Sequence, residues 1–225
     1  FANNWRTKIE TYYQSLYSVP VESTASSFSI LNAGADFVFP ETGSLTNDGT
    51  GTNYGVELTL EKFFSQGFYG LLTASVFDSK YEGSDGVERN TAFNNGYVLN
   101  VLGGKEFAVG KDKRNAITTD IKFTTAGGRY FTPIDLAASQ AANNEVLQEE
   151  LAFSERFDPY FRLDVKFGFR MNSKKRKLAH TFFLDFQNIT NRQNVFTNRY
   201  NRVTNEINTV YQAGFFPDFM YRVQF

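Results

Sequence analysis

A period of two dominates the chain and predicts long antiparallel β-strands. In residues 160–170, which show it most clearly, five apolar side chains alternate with side chains that are mostly charged. Because successive side chains of a strand point to opposite faces, one face of this strand is apolar and the other is charged. The same alternation, weaker in places, predicts eight strands, at 5–17, 54–61, 67–79, 95–107, 116–123, 160–170, 182–187 and 215–225.

The connections between the predicted strands alternate between short and long. The long ones are rich in Gly, Ser, Thr, Asn and Asp, as surface loops are. The short connections are residues 64–66, 108–114 and 172–178, and the long ones are 18–53, 80–94, 126–157 and 189–213. In an antiparallel sheet this order puts every long loop at one end. The helical signal lies in the third long loop, at 133–153, where Asp135 is a candidate N-cap.

Strand length and aromatic placement favour a membrane environment. Counted between these connections, the strands are about 10 to 13 residues long, whereas about 5–6 is usual in soluble proteins and about 9–11 crosses a bilayer at a tilt. Aromatic rings, which favour membrane interfaces, cluster at both strand ends: Phe63, Phe64, Phe68, Phe107 and Phe225 at the short-turn end, and Tyr54, Tyr97, Tyr160 and Phe215 at the other. The pattern is that of an outer-membrane β-barrel with its apolar face toward lipid.

Composition narrows the class of protein further. The 225 residues include 25 Phe and 12 Tyr, yet the mean hydropathy is −0.38, as expected of strands that are apolar on one face only. A net charge of −1 argues against nucleic-acid binding. With no Cys and one His, the chain offers no thiol nucleophile and no His/Cys metal centre. We therefore expect no enzymatic activity, no cofactor and no bound metal.

The final strand suggests an orientation in the membrane. Its alternate apolar residues, Phe219, Tyr221, Val223 and the C-terminal Phe225, resemble the signal that the outer-membrane barrel assembly machinery recognises. With Phe225 in the periplasm, every short turn is periplasmic and every long loop is extracellular. The sequence thus predicts a location in the bacterial outer membrane, with lipid and the barrel assembly machinery as partners.

Three segments near the C-terminus resemble a known family. Residues 180–191 read HTFFLDFQNITN, an alternating strand whose end is similar to the Asn-Leu-Phe-Asp of that family, with Ile189, Thr190 and Asn191 in place of the last three residues. Residues 159–165 and 214–217 are also similar to recurrent forms of its last strands. On these motifs, the chain resembles the C-terminal barrel portion of a TonB-dependent outer-membrane receptor or transporter.

The resemblance implies a transport function. It implies a 22-stranded barrel plugged by an N-terminal domain, of which residues 1–225 would form the last eight strands. The plug domain and TonB would be partners through an N-terminal part that this chain does not contain. The family imports scarce, large solutes, such as iron chelates, cobalamin or glycans, into the periplasm. The first residues lack the features of a signal peptide, so we expect a mature product or a piece of a longer protein.

Two other classes of protein stay open at this stage. A self-contained eight-stranded outer-membrane barrel, acting as an adhesin, an anchor or a small pore, would account for the same strands, because eight strands can close with side chains filling the interior. A soluble β-sandwich that binds carbohydrate through aromatic loops is the other alternative. It would place the apolar faces inside the protein instead of against lipid.

Few residues suggest specific chemistry. In the third long loop, Arg129, Tyr130 and Phe131 are candidate contacts for an extracellular ligand, because exposed Arg and aromatic side chains are common binding anchors; packing between loops would explain the rings equally well. The charged strand residues 162–166 predict a salt-bridged network and not an acid–base pair. The basic residues 174–177 fit a solubilising turn. The sequon at 188–190 fits the strand-end motif better than a glycosylation site.

Overall fold

The structure consists almost entirely of β-strands joined by turns and loops. The computed structural model describes residues 4–35, 41–174 and 177–225. It contains one α-helix, α1 (Leu136–Ala142), and two 3-10 turns, at Ile30–Asn32 and Glu149–Leu151. The strands are β1 (Trp5–Glu22), β2 (Leu45–Ser65), β3 (Phe68–Glu82), β4 (Glu88–Asn90), β5 (Tyr97–Val109), β6 (Asn115–Ala126), β7 (Tyr130–Phe131), β8 (Glu155–Arg156), β9 (Tyr160–Asn172), β10 (Ala179–Gln187), β11 (Val195–Asn201), β12 (Glu206–Tyr211) and β13 (Phe216–Gln224).

Eight of these strands form the main sheet. They pair antiparallel in chain order, β1-β2-β3-β5-β6-β9-β10-β13, with β4 added beside β3. The prediction of an all-β antiparallel chain is confirmed, and each of the eight predicted strands coincides with or overlaps one strand of this path. The other five strands are two to seven residues long and lie in the long connections, two pairs of them forming separate small sheets. Such short segments give too few alternations to be recognised in the sequence.

The first hairpin extends well beyond the predicted bounds. β1 has 18 residues and β2 has 21. The residues that lengthen β2 at its start, Leu45–Asn53, are mostly Gly, Thr and Asn, a composition typical of loops. They pair with β1 across a register shift between Leu16 and Val19, where Ser18 has a φ of 56°. Ladder hydrogen bonds to a partner strand therefore outweigh local composition here, since strand propensity depends strongly on context.

Strand register sorts the side chains onto two faces of the main sheet. One continuous row of partners on the apolar face contains Ile9, Leu58, Ala74, Leu99, Thr125 and Phe161. On the opposite face, Lys122 is the partner of Asp164, and Lys166 is the partner of both Asp120 and Asp185. Tyr160 lies on this charged face, as the partner of Ala126, so its ring does not join the aromatic residues of the apolar face.

Most of the buried core lies at the long-loop end of the molecule, in the loops and in the strand ends that adjoin them. Nine apolar residues of the described chain are buried; Ala116 is beside a short turn, and the other eight are at the long-loop end: Val19, Val21, Ala35, Tyr81, Ala92, Ile134, Ala152 and Tyr200. The accessible surface is 14340 Å², whereas a compact protein of this mass exposes about 10,000 Å². The excess arises because the main sheet is a single open layer, whose apolar face is uncovered in the described residues.

Strands β1 and β13 form the two edges of the main sheet. In the described part of the chain, β1 pairs only with β2 and β13 pairs only with β10, so the sheet is open and forms no closed barrel. Edge strands present unpaired backbone N–H and C=O groups, which are a template for pairing with further strands.

The helix predicted at 133–153 is confirmed for one part of that range. α1 begins after Asp135, whose side chain accepts a hydrogen bond from Ala138 N at 2.9 Å, and it ends at Asn143 in the left-handed conformation, with a φ of 48°. Within the described residues, no helix has the length and apolar character required to cross a membrane.

Candidate functional site

Four long loops meet beyond one end of the main sheet, and they carry most of the buried core. We call them L1 to L4 and, together, the loop cluster. Their ranges, read from the gaps between the long strands, are L1 (23–44, described at 23–35 and 41–44), L2 (83–96), L3 (127–159) and L4 (188–215). The short turns lie at the opposite end, at 66–67, 110–114 and 173–178.

Hydrogen bonds join the loops to one another. Ser27 Oγ in L1 donates to Glu149 Oε2 in L3 at 2.7 Å, and Ala92 N in L2 donates to Asn32 Oδ1 in L1 at 2.9 Å. Tyr81, at the end of β3, is only 1 % exposed and donates through its hydroxyl to Ser27 O at 2.9 Å. The loop cluster is therefore a packed unit with its own core, unlike loops that move independently.

Arg129, one of the predicted ligand contacts, connects three loops. From L3, its Nη1 donates to Ala35 O in L1 at 3.0 Å and its Nη2 donates to Phe196 O in L4 at 2.5 Å. Both partners are backbone carbonyls, and a guanidinium group has several donors in a fixed geometry that suits such bridging. Ligand contact by Arg129 stays a prediction; the contacts observed are structural.

Tyr130 and Phe131, the other two predicted contacts, form β7 and are half-buried. The ring of Phe131 stacks on Phe157 with centroids 4.0 Å apart, and the guanidinium of Arg156 lies 5.3 Å from the centre of the Tyr130 ring. With Arg129, both line a small cavity of about 100 Å³. The three residues that the sequence suggested as ligand contacts thus lie together in the structure. Packing between loops accounts for most of their contacts.

A larger cavity of about 670 Å³ opens between L1 and L3. Its volume lies within the roughly 300–1,000 Å³ of small-molecule sites. The lining combines four carboxylates and one guanidinium with hydroxyl and amide groups, contributed by Glu22, Glu41, Glu145, Glu149, Arg199, Ser26, Ser27, Ser29 and Asn32. Carboxylates therefore outnumber cations among the charged groups of the wall, whose other part is apolar and includes Phe28, Leu147 and Phe153.

Several groups of this lining also hold the loops in place. Glu145 pairs with Arg199 Nη1 at 3.0 Å and accepts a second hydrogen bond from Tyr200 N at 3.0 Å, which ties L3 to L4. Sequence reasoning missed Glu145, Glu149 and Arg199 as members of one site. Glu145 and Glu149 lie in L3 and Arg199 lies in L4, so only the tertiary packing of the loop cluster brings the guanidinium to the two carboxylates.

A bidentate ion pair closes the tip of L2. Arg89 Nη1 donates to Asp85 Oδ1 at 2.9 Å and Arg89 Nη2 donates to Asp85 Oδ2 at 2.7 Å. The hydrogen bonds from Arg89, with a further one from Val87 N and against the opposing effect of burial, lower the pKa of the Asp85 carboxyl. The loop tip is thus held by a charge-assisted contact that depends on pH.

The charged face of the main sheet carries the network that the sequence predicts. Arg162 Nε donates to Asp164 Oδ1 at 2.7 Å and Arg162 Nη2 donates to Gln187 Oε1 at 2.7 Å. Lys166 Nζ lies 3.8 Å from Asp120 Oδ2, and the same carboxylate accepts a very short hydrogen bond from the Tyr69 hydroxyl. These carboxylates are occupied by neighbouring donors, which supports a structural interpretation over an acid–base pair.

Asn188 fixes the start of L4. It is 2 % exposed with a φ of 48°, a conformation that Asn tolerates better than most residues. Its Nδ2 donates to Arg192 O and Ala213 O at 2.9 and 3.2 Å, and its Oδ1 accepts from Arg192 N at 3.2 Å. Its backbone N donates to Asp164 Oδ1 at 2.7 Å. The amide of this sequon is therefore part of the folded turn, as the strand-end interpretation expects.

The four residues of the predicted assembly signal are exposed. Phe219, Tyr221 and Val223 lie on the apolar face of β13, and Phe225 follows its end. The Tyr221 ring stacks on Phe182 of β10 with centroids 4.9 Å apart. The alternation that suggested the signal is thus present in the strand, and recognition by the assembly machinery stays a prediction.

Two other sequence hypotheses concern metals and the basic turn. Across residues 4–35, 41–174 and 177–225, no group of three or more His, Cys, Asp or Glu side chains is placed to hold a metal ion. Of the basic residues 174–177, Lys175 and Arg176 lie outside the described residues. Lys174 Nζ lies 3.9 Å from Asp112 Oδ2 in the neighbouring short turn.

Comparisons of the chain with protein family models, with curated proteins and with solved structures found no match.

Proposed function

We propose that this chain is the C-terminal part of the barrel wall of a TonB-dependent outer-membrane transporter, with its apolar face in lipid and the loop cluster outside the cell. In this proposal the protein imports a scarce, large solute into the periplasm, working with an N-terminal plug domain and with TonB. The solute would meet the loop cluster first, at the cavity between L1 and L3. The chain's role is transport and not catalysis.

The observation that supports this proposal most strongly is the uncovered apolar face of the main sheet. Eight long strands present apolar side chains on one face, and the described residues place no second layer against them. Exposed apolar surfaces of this size mark contact with a membrane or another protein. A membrane barrel reverses the usual arrangement, with apolar residues outside and polar residues toward the lumen. The open edges at β1 and β13 suit a segment of a larger barrel, in which further strands would pair with them.

Labelling of single cysteines in β6 tests the membrane orientation. The chain has no Cys, so each variant carries one reactive thiol in these residues. Thr119 and Ile121 lie on the apolar face, and Thr118 and Lys122 lie on the charged face. We expect spin labels at Thr119→Cys and Ile121→Cys to be accessible to molecular oxygen, which concentrates in lipid. Labels at Thr118→Cys and Lys122→Cys should be accessible to a water-soluble nickel chelate.

The matched pair Thr118→Cys and Thr119→Cys separates the alternatives, since it compares the same substitution at adjacent positions. A soluble β-sandwich would hide the label at Thr119→Cys from both reagents, which would contradict the proposal. Energy coupling needs its own experiment. Uptake of labelled ferric siderophores and cobalamin should fall equally when the gene of this protein or the gene of TonB is deleted. Uptake that is independent of TonB would favour the self-contained eight-stranded barrel.

A further inference from the structure

Two lysines interrupt the apolar face of the main sheet near its short-turn end. Lys62 of β2 is the register partner of Trp5 and Gly70, and Lys105 of β5 is the partner of Phe68. Both positions continue the outward, apolar series of their strands. A charged side chain among lipid-facing residues is costly unless its ammonium group reaches an interface or a counter-charge.

A groove lies between the two lysines. Gly70 of β3 and Gly103 of β5 are direct partners on the apolar face, so two adjacent positions lack side chains. The resulting depression has a volume of about 470 Å³ and is walled by apolar side chains, chiefly Leu72, Val101, Ile121 and Phe123. Its shape and lining suit an aliphatic chain.

Close packing does not require glycine at either position. A Cβ added to Gly70 would meet Leu102 O at 3.6 Å, and one added to Gly103 would meet Tyr69 O at 3.7 Å, both ordinary contact distances. Glycine weakens a strand and commonly marks a place where something approaches closely. The groove can therefore be filled by mutation without displacing the backbone.

The two ammonium groups lack acidic partners. Lys62 Nζ donates to Ser65 Oγ at 2.7 Å and lies 5.5 Å from the centre of the Phe68 ring, and Lys105 Nζ lies 5.2 Å from the Phe107 ring. Neither lysine forms an ion pair with any described residue. Rings around a cation contribute some stabilisation but do not neutralise it. A molecule with an apolar chain and an anionic group would fill the groove with the chain and pair its charge with the lysines.

We propose that this groove binds one anionic glycerophospholipid of the periplasmic leaflet, with an acyl chain over Gly70 and Gly103 and the phosphate between Lys62 and Lys105. The inference rests on the proposed membrane location and orientation. Lys62, Gly70 and Gly103 are in register across β2, β3 and β5. Lys105 lies two residues beyond Gly103 toward the short turn, so the two lysines are offset by about 7 Å along the strand. The ring beside Lys62 is Phe68 and the ring beside Lys105 is Phe107; both are exposed, at the level where aromatic residues mark the interface.

Native mass spectrometry of the detergent-solubilised protein tests this site. The probes are phosphatidylglycerol and phosphatidylcholine with identical acyl chains. We expect the unmodified protein to retain phosphatidylglycerol preferentially. In K62Q/K105Q the preference should fall by roughly fivefold for each lysine removed, as expected for a basic residue near an anionic headgroup. The matched control K111Q/K113Q removes two exposed lysines from a short turn at the same end of the sheet, and it should keep the preference.

A second variant separates the groove from the charges. Gly103→Leu fills the groove and keeps both lysines, so it should weaken retention of both lipids. Equal retention of phosphatidylglycerol by K62Q/K105Q and the unmodified protein would overturn the inference, and so would a loss of equal size in K111Q/K113Q. Dimers that disappear in Gly103→Leu would show that a second copy occupies the groove, and would also overturn it.

Flotation with vesicles separates this inference from the proposed function. Protein that enters vesicles, yet retains phosphatidylglycerol equally with and without the two lysines, contradicts only the lipid site. Protein that stays monodisperse without detergent and does not float contradicts the membrane location, and the lipid site with it.

Discussion

Asn188 determines the turn that leads from β10 into L4. Replacing it with Ala removes the partners of Arg192 N, Arg192 O and Ala213 O and places a less tolerant residue at a positive φ. Since a hydrogen bond contributes about 0.5–1.5 kcal/mol and a strained backbone costs about 1–3 kcal/mol, we expect Asn188→Ala to lower the free energy of unfolding by about 2–4 kcal/mol. Urea titration of the protein reconstituted in lipid vesicles, followed by fluorescence, measures this change.

Asn208 provides the matched control. It is exposed on β12, in the same loop, and Asn208→Ala should change the free energy of unfolding by less than about 0.5 kcal/mol, as surface substitutions usually do. Equal effects of the two substitutions would show that the amide contacts of Asn188 contribute nothing measurable.

The ion pair of Asp85 with Arg89 predicts how L2 responds to acid. The pKa of the Asp85 carboxyl in the folded state is lowered below the ordinary value of 3.8. The stabilisation is therefore fully present above that value, and it is lost as the pH falls through the lowered folded-state pKa. A spin label at Val87→Cys should keep its restricted motion from neutral pH to about pH 4 and become mobile at lower pH.

The Arg89→Gln variant serves as the comparison for this titration. Without the guanidinium, the label should be mobile at every pH, because Asp85 loses its bidentate partner. An increase in mobility near neutral pH in the unmodified protein would contradict the assignment of this transition to Asp85.

Among the contacts of single residues, some could be predicted from the sequence and others could not. The network around Arg162 and Asp164 could be expected because charges two residues apart share one face of a strand. Asp135 could be expected as an N-cap from its position before an apolar stripe. The ion pair between Glu145 and Arg199 could not be predicted, since it depends on how L3 and L4 pack against each other.

Strand β13 is the element whose predicted role is most specific. If its apolar residues form an assembly signal, Phe225→Gly should lower the amount of protein in the outer-membrane fraction several-fold without lowering its synthesis. The matched control is Gln224→Gly, the neighbouring residue at the end of the same strand. Immunoblots of membrane fractions measure both variants. A similar loss in both would show that the end of the strand matters as backbone and not through the Phe side chain.

Strands with an uninterrupted alternation were predicted well, and strands without it were not. β9 could be located because charged and apolar residues alternate along nearly its whole length. The start of β2 could not, because Leu45–Asn53 has the composition of a loop and becomes a strand only through pairing with β1. Long-range pairing is invisible to a local pattern, and so are the short hairpins inside the loops.

At the scale of the whole molecule, the position of β1 relative to β13 distinguishes the leading proposal from a closed eight-stranded barrel. In a closed barrel β1 and β13 would be neighbours, and in a larger barrel they would not. We expect Lys8→Cys to form no disulfide with Cys at Asp218, Met220 or Arg222 under oxidising conditions. All four positions are on the charged face, so a closed barrel would bring one pair within the about 7 Å between Cα atoms that a disulfide requires.

The matched control pair is Thr59→Cys with Thr73→Cys. These residues are register partners in β2 and β3, so their crosslink reports that the sheet has formed. Formation of both the control crosslink and a β1–β13 crosslink would establish the self-contained barrel. Gel mobility after oxidation, with and without a reducing agent, distinguishes these outcomes.

The overall class of architecture could be read from the sequence, but the position of the core could not. Alternation specifies which face of each strand is apolar, and the order of short and long connections specifies which end carries the loops. That eight of nine buried apolar residues would gather under the loop cluster follows from loop packing, for which the sequence shows no periodic signal.

The pairing of strands in chain order has a consequence for how such a protein can change over generations. Loss or duplication of two consecutive strands with their short turn, such as β2 and β3, would leave every remaining loop on its original side. Loss of a single strand would move all following loops to the opposite end of the sheet. Variation in the number of strands should therefore proceed in steps of two. L1 to L4 could diversify meanwhile, because the sheet that carries them is built from hairpins paired in chain order.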